Sequence, residues 1–94
     1  MNAKSDFIIS YDISDSKRLQ RLARRLEKVA MRIQYSVFFC ASVTQTDLFA
    51  IIEDINEVIN QDEDDVRIYH ILDAGIALGQ AVDLDEPFIS PQKG

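Results

Sequence analysis

Apolar positions along this 94-residue chain follow two rhythms, one of strands and one of helices. Phe7-Ile8-Ile9 forms an unbroken apolar run within residues 5–13, the mark of a central strand covered on both faces. Ser14-Asp15-Ser16 then supplies side chains that accept from the free N–H groups of a helix start. From about residue 16 to residue 30, Leu19, Leu22, Ala23, Leu26, Val29 and Ala30 recur at steps of three and four, which puts them on one helix face. The stretch 32–43 is rich in β-branched and aromatic residues and is extended, either as one bent strand or as two short ones. No Gly, Pro or Asn marks a turn within it. Thr44 or Thr46 can cap a second helix with the apolar face Leu48, Ile51, Ile52, Ile55 and Ile59, ended by Asn60 and Gln61.

The acidic run Asp62-Glu63-Asp64-Asp65 reads as a solvated turn, since it lacks the Gly and terminal Glu of a calcium loop. Residues 66–72 form a further strand, with Val66, Ile68 and His70 alternating against Arg67, Tyr69 and Ile71. Residues 74–82 can hold a short final strand, Asp83 to Pro87 cap the fold, and Phe88-Ile89 anchor it ahead of a polar tail. The order β-α-β-β-α-β is the split βαβ, ferredoxin-like arrangement of the α+β class, two helices on one face of an antiparallel sheet. The other sheet face needs a cover, and a second copy of the chain is the simplest one. One domain spans residues 1–94, with an ordered core at about 5–89.

Composition changes this picture little; charge changes it more. Hydrophobic residues make up 47% and charged residues 28%, a globular balance. The lone cysteine, Cys40, lies in an apolar run and reads as a buried structural thiol. No apolar stretch approaches the roughly 20 residues of a membrane helix, and no secretory signal is visible, so a cytoplasmic protein without a membrane partner is expected. The net charge of −6 argues against a nucleic-acid partner until its distribution is considered. Residues 17–32 hold Lys17, Arg18, Arg21, Arg24, Arg25, Lys28 and Arg32 against Glu27 alone, while the remainder has three basic and fifteen acidic residues. Arg18, Arg21, Arg25 and Lys28 recur at helical spacing opposite the apolar face and, with Lys17, form a candidate stripe for phosphate contact. The alternative is a solvated face that serves solubility.

Tyr11-Asp12 closes the first strand beside the capping cluster and the basic helix. A strand end is a rigid mount for a carboxylate that could hold a hard divalent cation. Position alone favours a turn or cap role, and one carboxylate is too few to hold a metal firmly. A symmetric dimer could bring a second copy of Asp12. His70 reads as a strand residue rather than a catalytic base, and no Ser-His-Asp order, phosphate loop or dinucleotide motif is present.

The run from Phe7 to Asp15, the basic helix, and Arg32-Ile33-Gln34-Tyr35-Ser36-Val37-Phe38 resemble the small universal CRISPR-associated adaptation protein family. Asp65 to Tyr69 and Val82 to Pro87 are similar to its later segments, so the resemblance covers about residues 6–89. It implies a ferredoxin-like homodimer in which the C-terminal strand completes the partner's sheet, and a Mg²⁺ ligand at Asp12 from each subunit. It also implies RNA or DNA endonuclease activity and partnership with the CRISPR integrase, with Tyr11, Arg21, Arg32 and Phe38 at positions tied to activity. Two departures stand out: Ala30-Met31 where the family often has Gly, and Phe39 where it commonly has Glu. Nuclease, non-cutting scaffold and ferredoxin-like ligand-binding regulatory module are therefore the three functions carried forward.

Overall fold

The computed structural model describes residues 3–73, 75–76, 78–81 and 84. Strand β1, Ser5–Asp12, buries Ile9 and Tyr11 while Asp12 stays exposed. Helix α1, Ser16–Glu27, starts where the Asp15 carboxylate accepts from the Arg18 N–H at 2.9 Å. It turns Leu22, Ala23 and Leu26 into the core. The periodicity predicts a helix to residue 30, but the last turn tightens onto Leu26, whose carbonyl accepts from Val29 and Ala30 at 3.1 and 2.8 Å. The chain leaves the helix there to begin β2, Met31–Gln34, and Val29 is consequently 52% exposed instead of buried.

Residues 32–43 resolve into two strands, β2 and β3 (Val37–Val43), joined by a turn at Tyr35-Ser36. Neither turn residue has a positive φ, which is why no Gly or Asn is needed to make it. The turn is tied to the neighbouring strand: the Tyr11 N–H donates to the Ser36 carbonyl at 3.1 Å. At the far end of β3 the register against β1 slips, and Ser42 takes a φ of 56° while its N–H donates to Asp6 Oδ1 at 2.8 Å. This bulge shifts the alternation by one residue, so Val43, rather than Ser42, joins Phe38 and Cys40 in the core.

Thr44, not Thr46, caps helix α2 (Gln45–Val58), in a reciprocal capping box with Asp47. Ile51, Ile55 and Val58 are buried, with Leu48 and Ile59 packed beside them. Strand β4, Asp65–Ile71, completes the sheet in the order β2-β3-β1-β4, with the three adjacent pairs antiparallel. The expected βαββαβ arrangement is what the chain forms. Among the described residues of 74–82 there is no strand; the Ala81 N–H closes a turn onto the Leu78 carbonyl at 3.0 Å. The cap at Asp83–Pro87, save Leu84, and the anchor at Phe88-Ile89 lie outside the described residues.

The two sheet faces differ. Ile9, Tyr11, Phe38 and Cys40 face the helices and build the core with Leu22, Leu26, Ile51 and Ile55. On the opposite face the register lines up Met31, Phe39, Ile8 and Tyr69, one apolar residue from each of the four strands. Met31 and Phe39 are cross-strand partners.

Candidate functional site

One end of the sheet gathers the expected chemistry. Because β1 and β3 are antiparallel, the C-terminal end of β1, the Tyr35-Ser36 turn, the start of β4 and the N-terminus of α1 all lie there. Asp12 is exposed and makes no ion pair among the described residues. Its cross-strand partner is Asp65 of the same subunit, on the same face as Ser10 and Arg67. A second carboxylate is thus present without a second copy, which corrects the expectation that one chain offers Asp12 alone. Asp65 Oδ2 accepts from Arg67 Nε at 3.3 Å, and that contact raises the Arg67 pKa. The signal for Asp65 is in the sequence, since it opens a strand that has to pair with β1; the acidic run around it hides the position.

The acidic run is a turn in which Asp62, Glu63 and Asp65 are exposed as expected, but Asp64 is not solvated. The Asp64 side chain is fully buried, accepting from Arg18 Nε at 2.8 Å and Nη2 at 3.1 Å, from the Ser14 N–H at 3.0 Å and from the Asn60 N–H at 2.8 Å. The Arg18 hydrogen bond, reinforced by the two backbone donors, holds the Asp64 carboxyl well below the usual carboxylate range. Glu63 adds a second acceptor for Arg18 at 3.1 Å. This cluster pins the β1–α1 loop to the α2–β4 loop, immediately behind Asp12 and Asp65.

The basic helix accordingly divides into two stripes. Arg18 is held by Asp64, and Arg25 bridges to α2 through Asp54 and Glu57, the latter at 3.1 Å. Both guanidiniums are raised in pKa by those carboxylates. The expectation that Arg18 and Arg25 face solvent is corrected: their α1 positions lie next to acidic residues of the α2 side. Lys17, Arg21, Arg24 and Lys28 are exposed, have no ion pair among the described residues, and share a face at steps of four, three and four. Arg24 belongs to this free stripe, although spacing opposite the apolar face does not single it out.

Tyr11 and Phe38 stack at 6.1 Å inside the core, 5% and 0% exposed. The Tyr11 hydroxyl is buried and makes no hydrogen bond among the described residues. Neither side chain reaches the surface where Asp12 lies, so any part they play runs through the backbone and packing. Arg32 is partly exposed, its guanidinium 5.2 Å from the Phe38 ring centre and 5.8 Å from that of Tyr35, with Glu27 at 3.7 Å. His70 packs its ring against Phe7 at 5.2 Å, away from Asp12. Cys40 is buried, and burial pushes its thiol up to about 11.

The profile of the family described as CRISPR associated protein Cas2 matches residues 6–76. The chain belongs to that family. It is 45% identical over 74 residues to the CRISPR-associated endoribonuclease Cas2 1 of Nitrosomonas europaea, covering 79% of this chain and 70% of the relative. It is 30% identical to the endoribonuclease Cas2 3 of a Synechocystis species over 94% of this chain and 92% of that one. Among solved structures, a hypothetical protein of Thermus thermophilus superposes with a TM-score of 0.78 at 28% identity, covering 83% of this chain and 94% of that one. Streptococcus pyogenes Cas2 superposes at 0.67 with 27% identity, covering 79% and 99%. A chain of a partial Cas6-RT-Cas1–Cas2 complex superposes at 0.66 with 28% identity, covering 73% and 75%. The ferredoxin-like fold is thus shared with members of the family, and no helix among the described residues is long and apolar enough to cross a membrane.

No group of three or more His, Cys, Asp or Glu side chains that could hold a metal occurs among the described residues. The pair Asp12 and Asp65 still suits Mg²⁺, a hard cation that is commonly held by one or two carboxylates plus waters and substrate phosphate.

Proposed function

We propose that this chain is the nucleic-acid-binding, metal-dependent endonuclease subunit of a CRISPR adaptation module, working as a homodimer beside a Cas1-type integrase. The observation that carries the reading is the exposed Asp12 carboxylate at a rigid strand end, unpaired among the described residues, within a family whose members include proteins named endoribonuclease and endonuclease. The Cas1–Cas2 complex among the similar structures supports the integrase partner. The apolar row Met31, Phe39, Ile8 and Tyr69 on the sheet face away from the helices supports a second copy there, with Phe39 already buried in the protomer and Tyr69 half exposed.

Asp12 would hold Mg²⁺, assisted by Asp65 of its own subunit or by Asp12 of the second copy. The bound ion would supply Lewis-acid stabilisation of charge on a phosphate. Lys17, Arg21 and Arg24 bind and orient the backbone of an RNA or DNA strand, and Arg32 adds a cation at the same sheet end.

A second reading, a scaffold that binds without cutting, is favoured by the sparse ligand set and by the burial of Tyr11 and Phe38. A cleavage assay on labelled RNA and DNA separates the two. Cleavage that requires Mg²⁺, is stopped by EDTA and is lost in Asp12→Ala supports the nuclease. Binding without cleavage, unchanged in Asp12→Ala, establishes the scaffold.

A further inference from the structure

On the sheet face away from the helices, three cross-strand pairs follow one another along β1 and β4: Ile8 with Tyr69, Ser10 with Arg67, and Asp12 with Asp65. Arg67 is therefore the same-face neighbour of Asp65 on its own strand and the diagonal neighbour of Asp12 on the next. A diagonal spacing of about 7–8 Å is within reach of a long side chain. The guanidinium meets Asp65 through a single long contact, Nε to Oδ2 at 3.3 Å, with the two side chains 66% and 63% exposed. A pair so open to water holds weakly. The contrast with Arg18 and Asp64, two-pronged and with the carboxylate buried, separates a brace from an exchangeable contact at the same end of the sheet.

We infer that Arg67 is the resident counter-ion of the Asp12 and Asp65 carboxylates, filling the cation's place beside Asp65 and yielding it to a divalent cation, so that its charge sets how readily the site loads. This rests on the metal-site reading proposed above and deepens it. Mg²⁺ takes carboxylate oxygens and repels a guanidinium held against the same group. With its cation in place, Arg67 offsets part of the repulsion between the two opposed carboxylates. It can also leave at little cost, since only the one exposed contact to Asp65 is broken. Tyr69, two residues on along the same face, raises the Arg67 pKa after Asp65 does, and its oxygen is a further acceptor for the displaced guanidinium.

Arg67→Gln removes the charge and keeps a donor for Asp65, Arg67→Ala removes both, and Arg67→Lys keeps the charge. Mg²⁺ alone is titrated into the full chain of the wild type, these three variants and Asp12→Asn, followed by calorimetry and by melting temperature. Arg67→Gln and Arg67→Ala are expected to bind Mg²⁺ about three-fold tighter than the wild type at about 0.1 M salt and about seven-fold tighter in dilute buffer, which corresponds to relieving the repulsion of a single and a double charge about 7 Å apart in water. Arg67→Lys should stay within about two-fold of the wild type. Binding no tighter in the two uncharged variants, or equally tightened in Arg67→Lys, overturns the counter-ion role and leaves the metal site standing. A gain confined to Arg67→Gln comes from its amide oxygen and overturns the role as well. Mg²⁺ bound equally by the wild type and Asp12→Asn, or by neither, overturns the metal reading and the counter-ion with it.

Discussion

Arg18 and Asp64 form a two-pronged ion pair across 46 residues of sequence, with the carboxylate fully buried and the guanidinium bonded through both Nε and Nη2. Its position behind Asp12 and Asp65 makes it the brace of the candidate site. Asp64→Asn is expected to lower the melting temperature by several degrees, because Ser14, Asn60 and Arg18 all lose a charged acceptor. The pH dependence has a definite sign. A carboxyl held low contributes its stability fully above the unfolded-state value of about 3.9 and loses it as pH falls towards the folded value. The difference in stability between the wild type and Asp64→Asn should therefore be flat from pH 7 to about 5 and shrink below about 4. Thermal melts of both proteins across that range check it; a difference that grows on acidification contradicts it.

Tyr11 and Phe38 part company under substitution. The Tyr11 hydroxyl is buried without a hydrogen bond among the described residues, so Tyr11→Phe should be neutral or stabilising, by up to about 1 kcal/mol. Phe38→Ala, at a fully buried position, should cost about 3–5 kcal/mol and loosen the support under Arg32. Urea unfolding measures both. If Tyr11→Phe abolishes cleavage with no change in stability, the hydroxyl acts directly and the core here must open during the reaction.

The limits of what the sequence could reveal follow from range. The strand and helix rhythms are local, and they place β1, α2 and β4 within a residue or two. The Tyr35-Ser36 turn needs no special φ, so nothing local marks it. The bulge at Ser42 depends on Asp6, 36 residues away, and only it explains why Val43 faces the core. Asp64 looks no different from Asp62 or Glu63 within an acidic run until Arg18 is brought to it. The same holds for the basic helix: spacing reveals the cations, but which of them are consumed is decided by Asp54, Glu57, Glu63 and Asp64, from other elements. Met31 and Phe39 look unrelated along the chain because their pairing is a property of the register.

That division of the helix is itself testable. The triple variant Lys17→Glu, Arg21→Glu, Arg24→Glu should lose nucleic-acid affinity about ten-fold or more while melting like the wild type, since those side chains are exposed and unpaired among the described residues. Its affinity should also depend less on salt, by about 0.7–0.9 in the log–log slope for each phosphate contact removed. Arg25→Ala should do the reverse, lowering the melting temperature through the loss of Asp54 and Glu57 while leaving the salt slope in place. Equal effects on binding from both variants would mean that the α2 contacts open when the strand binds.

Asp12 and Asp65 set activity against stability. Directly opposed residues on antiparallel strands have their Cβ atoms about 4.5–5.5 Å apart, and like charges so placed destabilise the sheet. Arg67 relieves Asp65 from its own strand, but no cation of the described residues pairs with Asp12. A protein that keeps an unrelieved carboxylate at an ordered strand end is carrying a cost that a metal or a cationic ligand would remove. Asp12→Asn should consequently hold the fold as well as the wild type or better, by about 0.2–1 kcal/mol, in the absence of divalent ions. In the wild type, millimolar Mg²⁺ should raise the melting temperature, and in Asp12→Asn it should not. Cleavage, where the wild type shows it, should disappear in the same variant. Loss of cleavage together with a lower melting temperature would instead assign Asp12 a structural role at the β1–α1 junction, and the carboxylate would then be a cap rather than a ligand.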